Sequence, residues 1–321
     1  MTNGDAIRCE PVEPPVAVGG PRAQEGWRAM RGGEERARLA LWWHDTPPLA
    51  GERLGTIGAL WIGDGERAAE DAAALLRQAC ARLAAQGCRR VLAPMDGNSW
   101  GAYRCRLDPP LGFAGEPAPG PRWRALLESC GFEGLTRYVS NRCDDLSLQR
   151  AAPRARRRLA RVRLLTAAGP DADEALLPAL HALVHEAFRQ QPWFRPLSVP
   201  AFAAVARQRL ADEPSRFQLV AVDGGEPVGL LLAQRCQERL VVRTLAVRPG
   251  PAHAGLGALL LEEAHRAAGA AGCRTALHTL MQAPGPSLAL SRHYGAPVAR
   301  YLLLGRRLGP GGRGGGGAGL R

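Results

Sequence analysis

The residues able to do chemistry concentrate between Thr244 and Tyr294. Thr244-Leu245-Ala246-Val247-Arg248-Pro249 reads as the end of an apolar strand and Gly250-Pro251-Ala252-His253-Ala254-Gly255-Leu256-Gly257 as a turn. Ala258-Leu259-Leu260-Leu261 then continues as a helix. The first N–H groups of a helix have no partner inside it, and the peptide dipoles place partial positive charge there. A strand, a glycine turn and a helix start, in that order, make a site for a phosphate or pyrophosphate. Gly255 and Gly257 carry no Cβ, so an anion can approach their backbone closely. No acidic residue lies between Arg239 and Leu261, as a polyanion site requires. The alternative is a tight turn ahead of a core helix.

Groups that could carry a proton or a ligand flank this stretch. His278 lies in the strand that should follow the helix, where it is either a proton carrier or a hydrogen-bonded core histidine. Tyr294 immediately precedes Gly295 and is either an acid or an aromatic anchor. Glu186 is a further proton-handling candidate. His181 and His185 stand four apart, one helical turn, but no third metal ligand accompanies them. Met95-Asp96-Gly97-Asn98-Ser99-Trp100, followed by Tyr103-Arg104, forms a polar and aromatic loop that reads either as a recognition loop or as a capped turn.

The elements that position these groups follow from periodicity. In the second half, helices are expected at about 175–189 and 200–210. Strands at 217–222 and 228–234 flank Asp223-Gly224-Gly225, a hairpin signal. A strand at 240–247, a helix to Ala271 and a strand at 274–281 complete the block. The first half shows the same order more faintly: strands at 36–44 and 54–62, a helix at 66–86 and a strand at 90–93. In that helix Ala69, Ala73, Leu76, Cys80 and Leu83 share a face. Only Gly63-Asp64-Gly65 separates its strand from its helix, and Asp64, Glu66, Glu70 and Asp71 crowd the helix start. That charge favours the helix and repels a polyanion.

At 321 residues, 46% of them hydrophobic, the chain has room for two globular domains. No apolar run approaches the roughly 18 residues that span a bilayer. Asp5, Glu10, Glu13 and the Pro14-Pro15 pair exclude a signal peptide in the first thirty residues. A cytoplasmic protein without membrane attachment is expected. All 42 basic residues are arginine and the net charge is +12, which suits a polyanionic partner. The eight cysteines form no C-x-x-C, so free thiols in a reducing compartment are expected.

The stretch Leu245 to Leu260 resembles the GNAT acetyltransferase superfamily, in which a strand ending L-x-V-x-P precedes an R/Q-x-x-G-x-G/A loop. Together with Arg243-Thr244, Leu280-Met281, Ser287 and Tyr294-Gly295 it resembles a subgroup of tandem GNAT proteins. The resemblance implies an α/β fold of the α+β kind: two tandem GNAT-like domains, each a mostly antiparallel mixed sheet flanked by helices. It implies acetyl-CoA or another acyl-CoA as co-substrate, no metal, and N-acyl transfer to a small-molecule or peptide amine. Leu245, Ala246 and Val247 would pair with the pantetheine arm. Ala252, His253, Ala254, Gly255, Leu256, Gly257 and Ala258 would hold the pyrophosphate. His278 and Tyr294 become the catalytic candidates, with Tyr294 protonating the leaving thiolate. Two positions depart from the pattern: Ala252 replaces the loop's Arg or Gln, and Ser291 stands where a tyrosine often serves as acid. A catalytically inactive acyl-CoA sensor or scaffold is therefore the alternative, followed by an arginine-rich nucleic-acid-binding protein. The expected layout is a flexible leader at 1–34, a degenerate GNAT-like domain without phosphate loop at 35–146, an Arg-rich linker at 147–160, the acyl-CoA-binding domain at 161–308 and a glycine-rich tail at 309–321.

Overall fold

The computed structural model describes residues 6–14, 20–166, 176–211 and 216–309. Thirteen strands are described: β1 Arg8–Val12, β2 Glu25–Arg31, β3 Glu34–Trp42, β4 Arg53–Ile62, β5 Cys88–Ala93, β6 Cys105–Arg106, β7 Glu133–Cys143, β8 Arg163–Thr166, β9 Arg216–Asp223, β10 Glu226–Cys236, β11 Arg239–Val247, β12 Thr275–Ala283 and β13 Ala296–Arg307. The α-helices are α1 Ala68–Ala85, α2 Pro121–Ser129, α3 Pro153–Arg158, α4 Leu177–Phe188, α5 Val199–Ala211, α6 Leu256–Ala270 and α7 Pro286–Ser291. The fold is mixed α/β with mostly antiparallel strand pairing. The exceptions are the parallel pairs β4–β5 and β11–β12.

The chain forms two compact units: Met1–Cys105 with Pro117–Leu135 and Leu302–Arg321, and Arg106–Glu116 with Thr136–Tyr301. In the first unit the order is β1-β2-β3-β4-β5, closed by the last residues of β13, which run antiparallel to β5 at Leu304↔Ala93. Helix α1 crosses from β4 to the parallel strand β5 and packs on β3 and β4; its Leu75, Leu76 and Leu83 are fully buried, as are Leu39, Leu41 and Ile57 of those strands. Asp71, in its first turn, is fully buried; Arg31 lies 2.6 Å from its carboxylate. In the second unit the order is β7-β12-β11-β10-β9-β8. Here α6 crosses from β11 to β12, with Leu256, Leu260, Leu261 and Ala264 in the core.

Three expectations are corrected. The leader contributes two strands, because Cys9 and Glu10 pair with Ala29 and Arg28 of β2. The stretch 147–160 is no linker: it holds α3, and Ala151, Ala155 and Leu159 are buried in the second unit. The boundaries at 146 and 161 also give way. Residues 136–143 of β7 complete the second unit, while 302–307 of β13 complete the first. Part of the last strand of each half thus belongs to the other unit. An unpaired sheet edge beside a core strand must be covered, and here the covering strand comes from the distant half. The glycine-rich tail lies outside the described residues, except for Gly309.

Candidate active site

The site begins where two parallel strands part. β11 pairs with β12 from Arg239↔Thr275 to Val242↔His278 and no further, while β10 accompanies it to Gly229↔Val247. A register shift at Leu232/Ala233 makes Arg243 an extra residue on β11, and a bulge of this kind bends a strand away from its neighbour. The Thr279 hydroxyl closes the vertex by donating to the Val242 carbonyl at 2.9 Å. Beyond it Leu245, Ala246 and Val247 have a partner strand on one side only. A backbone edge of this kind calls for another extended polar chain or water.

The loop after β11 turns at Gly250, where φ is 123°, passes through a short 3₁₀ turn at Pro251–His253 and enters α6 at Gly255, where φ is 93°. The backbone N–H groups of Gly255, Leu256 and Gly257 meet no carbonyl among the described residues; the first helical bonds run from Ala258 and Leu259 to the Gly255 carbonyl. The two glycines differ in what holds them. Gly255 is left-handed, and a Cβ there would stand 2.7 Å from the Ala155 side chain. Gly257 is not left-handed; its missing Cβ would point at Leu290, Leu245 and Val247, the nearest at 3.2 Å. A side chain at 257 would crowd the Leu290 side chain, which would have to give by a few tenths of an ångström. Leu256 and Ala258 are buried and can offer only backbone, whereas Ala252 and Ala254 are exposed. His253 lies 3.7 Å from Asp223, which also binds Arg161.

Behind the vertex runs a chain of buried polar groups from four elements. Asn141 of β7 donates to the Ser291 hydroxyl at 3.0 Å, and this oxygen is 2.8 Å from His278 Nδ1. His278 Nε2 lies 2.9 Å from His265 Nε2 on α6. Burial lowers both histidine pKa values, to about 4 for His265 and about 3 for His278. Both rings are therefore neutral near pH 7, one donating and the other accepting. The sequence carried His278 and Ser291 as separate points; His265 was missed, because it sits within the apolar pattern of α6.

Tyr294 is placed otherwise than an acid would be. Its hydroxyl donates to Glu262 at 3.1 Å, and burial together with that carboxylate raises its pKa. Glu262 also accepts from the N–H groups of Arg150 and Ala151 and pairs with Arg156. Tyr294 thereby anchors the segment that carries α3. His181 and His185 both meet the backbone of Leu197, His181 Nε2 at its carbonyl and His185 Nε2 accepting its N–H. No group of three metal-ligating side chains occurs among the described residues. Glu186 faces Arg248 at 3.7 Å. A strap that the sequence did not disclose, Arg106–Glu116, packs Phe113 against Val241 and Leu277 and receives hydrogen bonds from Arg239 and Arg243.

The first unit has the same parting of strands, with β4 and β5 paired only to Thr56↔Leu92. There the opening is filled by the chain itself. Met95 donates to the Ile57 carbonyl at 2.8 Å, and Asp96 accepts from the Ala59 N–H at 2.7 Å. Burial raises the Asp96 pKa to about 6, against that hydrogen bond. Asn98 caps the turn by accepting from the Trp100 N–H. The Met95–Trp100 loop is a plug held by its own turn.

Residues 179–293 match the acetyltransferase (GNAT) family. The second unit carries a GNAT domain. Three solved structures share the fold over most of this chain. A GCN5-related N-acetyltransferase from Sphaerobacter thermophilus is 16% identical, with 90% of this chain and 82% of that one covered and a TM-score of 0.57. A tandem GNAT protein from the clavulanic acid biosynthesis pathway is also 16% identical, with 95% and 99% covered and a TM-score of 0.57. A GCN5-related N-acetyltransferase from Kribbella flavida is 18% identical, with 88% and 59% covered and a TM-score of 0.52. At these identities the likeness is one of fold. The matched residues of the GNAT domain include the free strand edge, the glycine loop, His265, His278 and Ser291.

Proposed function

We propose that the protein is an N-acyltransferase that takes an acyl group from acyl-CoA, acetyl-CoA first among them, and passes it to a small-molecule or peptide amine. The observation that carries this reading is the contrast between the two strand partings. One is plugged by its own loop; in the other no described residue continues the pairing along Leu245–Val247, beside an acid-free glycine loop inside the residues that match the GNAT family. The pantetheine arm would extend along Leu245–Val247, with a backbone N–H there polarising the thioester carbonyl. The pyrophosphate would meet the free N–H groups of residues 255–257.

Chemistry then needs a neutral amine, positioning and one proton for the thiolate. The amine nitrogen bonds to the thioester carbon, the C–S bond breaks, and the nitrogen releases its extra proton to water. The Ser291 hydroxyl donates to the sulfur and regains a proton from the water that received the amine's, while Asn141 and His278 hold the hydroxyl in place. Tyr294 drops out of the acid role, since its proton is committed to Glu262. A cytoplasmic location fits an acyl-CoA substrate, and no described helix is long and apolar enough to cross a membrane.

A second reading, acyl-CoA binding without turnover, is favoured by one observation: Ser291 is only 1% exposed. Thermal melts of the full chain with acetyl-CoA, with CoA and with a DNA oligonucleotide test the binding step. Acetyl-CoA at roughly 100 times its dissociation constant should add about 2.7 kcal/mol, and DNA should add nothing. No shift with either thioester or thiol would end the acyl-CoA reading. An amine panel then separates enzyme from sensor. Ser291→Ala is expected to lower kcat by about 10²-fold with acetyl-CoA affinity unchanged, and Ser291→Thr should keep most of the rate. Thiol release at the wild-type rate from Ser291→Ala would remove Ser291 from the mechanism. The melts require the intact chain, because a cut near residue 146 would take β7 from the second unit.

A further inference from the structure

We infer that Arg158 supplies the positive charge that Ala252 lacks, so that a guanidinium from α3 holds the pyrophosphate at the glycine loop. The inference rests on the acyl-CoA reading above and adds to it a residue from outside the family match, which begins at 179.

Helix α3 is fixed against the loop in three ways. Ala155 occupies the space that a Gly255 side chain would need. Glu262 of α6 grips Arg156 and the two N–H groups just ahead of the helix. Arg158 itself donates through Nη2 to the carbonyl of Ala254, directly before the free N–H groups of Gly255, Leu256 and Gly257. A guanidinium has five N–H donors, and this bond uses one. The remaining charge is uncompensated: no carboxylate pairs with Arg158 among the described residues. Its neighbours differ, since Arg156 is neutralised by Glu262 and Arg161 by Asp223. An exposed arginine beside unsatisfied amides, in a stretch without acids, suits a ligand with adjacent phosphate groups. A planar guanidinium can bind two phosphate oxygens at once, which an ammonium cannot. Arg158 is then part of the nucleotide end of the site, supplied from ahead of the residues that match the family.

Calorimetry on the full chain tests this with acetyl-CoA and with acetyl-dephospho-CoA, which keeps the pyrophosphate and lacks the 3′-phosphate. Arg158→Ala is expected to weaken both ligands about ten- to a hundred-fold, the range of a lost charge-assisted bond. Arg158→Lys should recover part of the loss. Arg157→Ala, one residue away, should change neither affinity, and the unliganded melting temperature of each variant should stay within a few degrees of wild type. Wild-type affinity in Arg158→Ala overturns the assignment, as does an equal loss in Arg157→Ala. A loss confined to acetyl-CoA moves the contact to the 3′-phosphate and overturns the pyrophosphate assignment. A wild-type chain that binds neither ligand removes the acyl-CoA reading itself, an outcome distinct from the others.

Discussion

Glu262→Ala is expected to destabilise the protein by about 3 kcal/mol, the cost of leaving the Tyr294 hydroxyl and the Ala151 N–H without an acceptor. The Glu262 carboxylate is 8% exposed and serves four donors at once: Tyr294 Oη, Arg156 and the N–H groups of Arg150 and Ala151. Alanine gives none of them a replacement. Arg156, at 39% exposure, and the exposed Arg150 N–H can turn to water, so the loss falls mainly on the tyrosine and the Ala151 amide. Glu262→Gln keeps two lone-pair acceptors on one oxygen and should lose distinctly less. Urea unfolding of the three proteins measures the difference, and an alanine variant within about 0.5 kcal/mol of wild type, the usual spread of surface changes, would contradict the account. The same variant should weaken acetyl-CoA binding, because Glu262 holds the helix that presents Arg158.

The second large effect is loss of stability in mild acid. His265 and His278 are held neutral, with pKa values of about 4 and about 3 against 6.5 for the free side chain. Above pH 6.5 both folded and unfolded chains carry these rings neutral, and their contribution is complete. As pH falls through 6.5, the unfolded chain takes up protons that the folded chain refuses, so stability declines until the folded pKa is reached. Every tenfold difference in proton affinity between the folded and unfolded chains is worth about 1.4 kcal/mol, which makes the expected loss between pH 6.5 and roughly 4.5 several kcal/mol. His185, also lowered by burial, adds in the same direction, and Asp96, raised to about 6, opposes it. His278→Gln isolates the pair: its unfolding free energy should fall less steeply over this window. Equal slopes for His278→Gln and wild type would falsify the assignment. Most paired carboxylates titrate lower, so the window belongs chiefly to these groups.

Much of the fold could be read from the residues. Leu240 to Val247, the Asp223-Gly224-Gly225 turn and the α6 pattern each appear within a residue or two of their expected places, because apolar periodicity and glycine turns act locally. The glycine loop was equally legible, since strand, turn and helix follow one another in the chain. What escaped was non-local. Nothing in Glu133–Cys143 says which strand it will pair with, and its partner, β12, lies more than a hundred residues on. The stretch 147–160 reads as a linker, because the three residues that bury themselves there, Ala151, Ala155 and Leu159, are too few to give a period. Tyr294 and His265 show the same limit within the site. A tyrosine beside a glycine suggested an acid, but its partner Glu262 is a full helix away. The reasons for the two glycines also needed geometry, for Gly255 answers to φ and to Ala155, while Gly257 answers to Leu290.

The exchange of end strands has a consequence for synthesis. β5 is finished at Ala93, yet the residues that cover its edge, Leu304 to Arg307, are translated only after the whole intervening chain. A ribosome adding roughly 5–20 residues per second leaves that edge bare for roughly ten to forty seconds. During this interval the nascent chain offers a hydrogen-bonding template to any other extended segment, including the same segment on a neighbouring polysome. The unit that begins first therefore closes only after the strands of the other have been made.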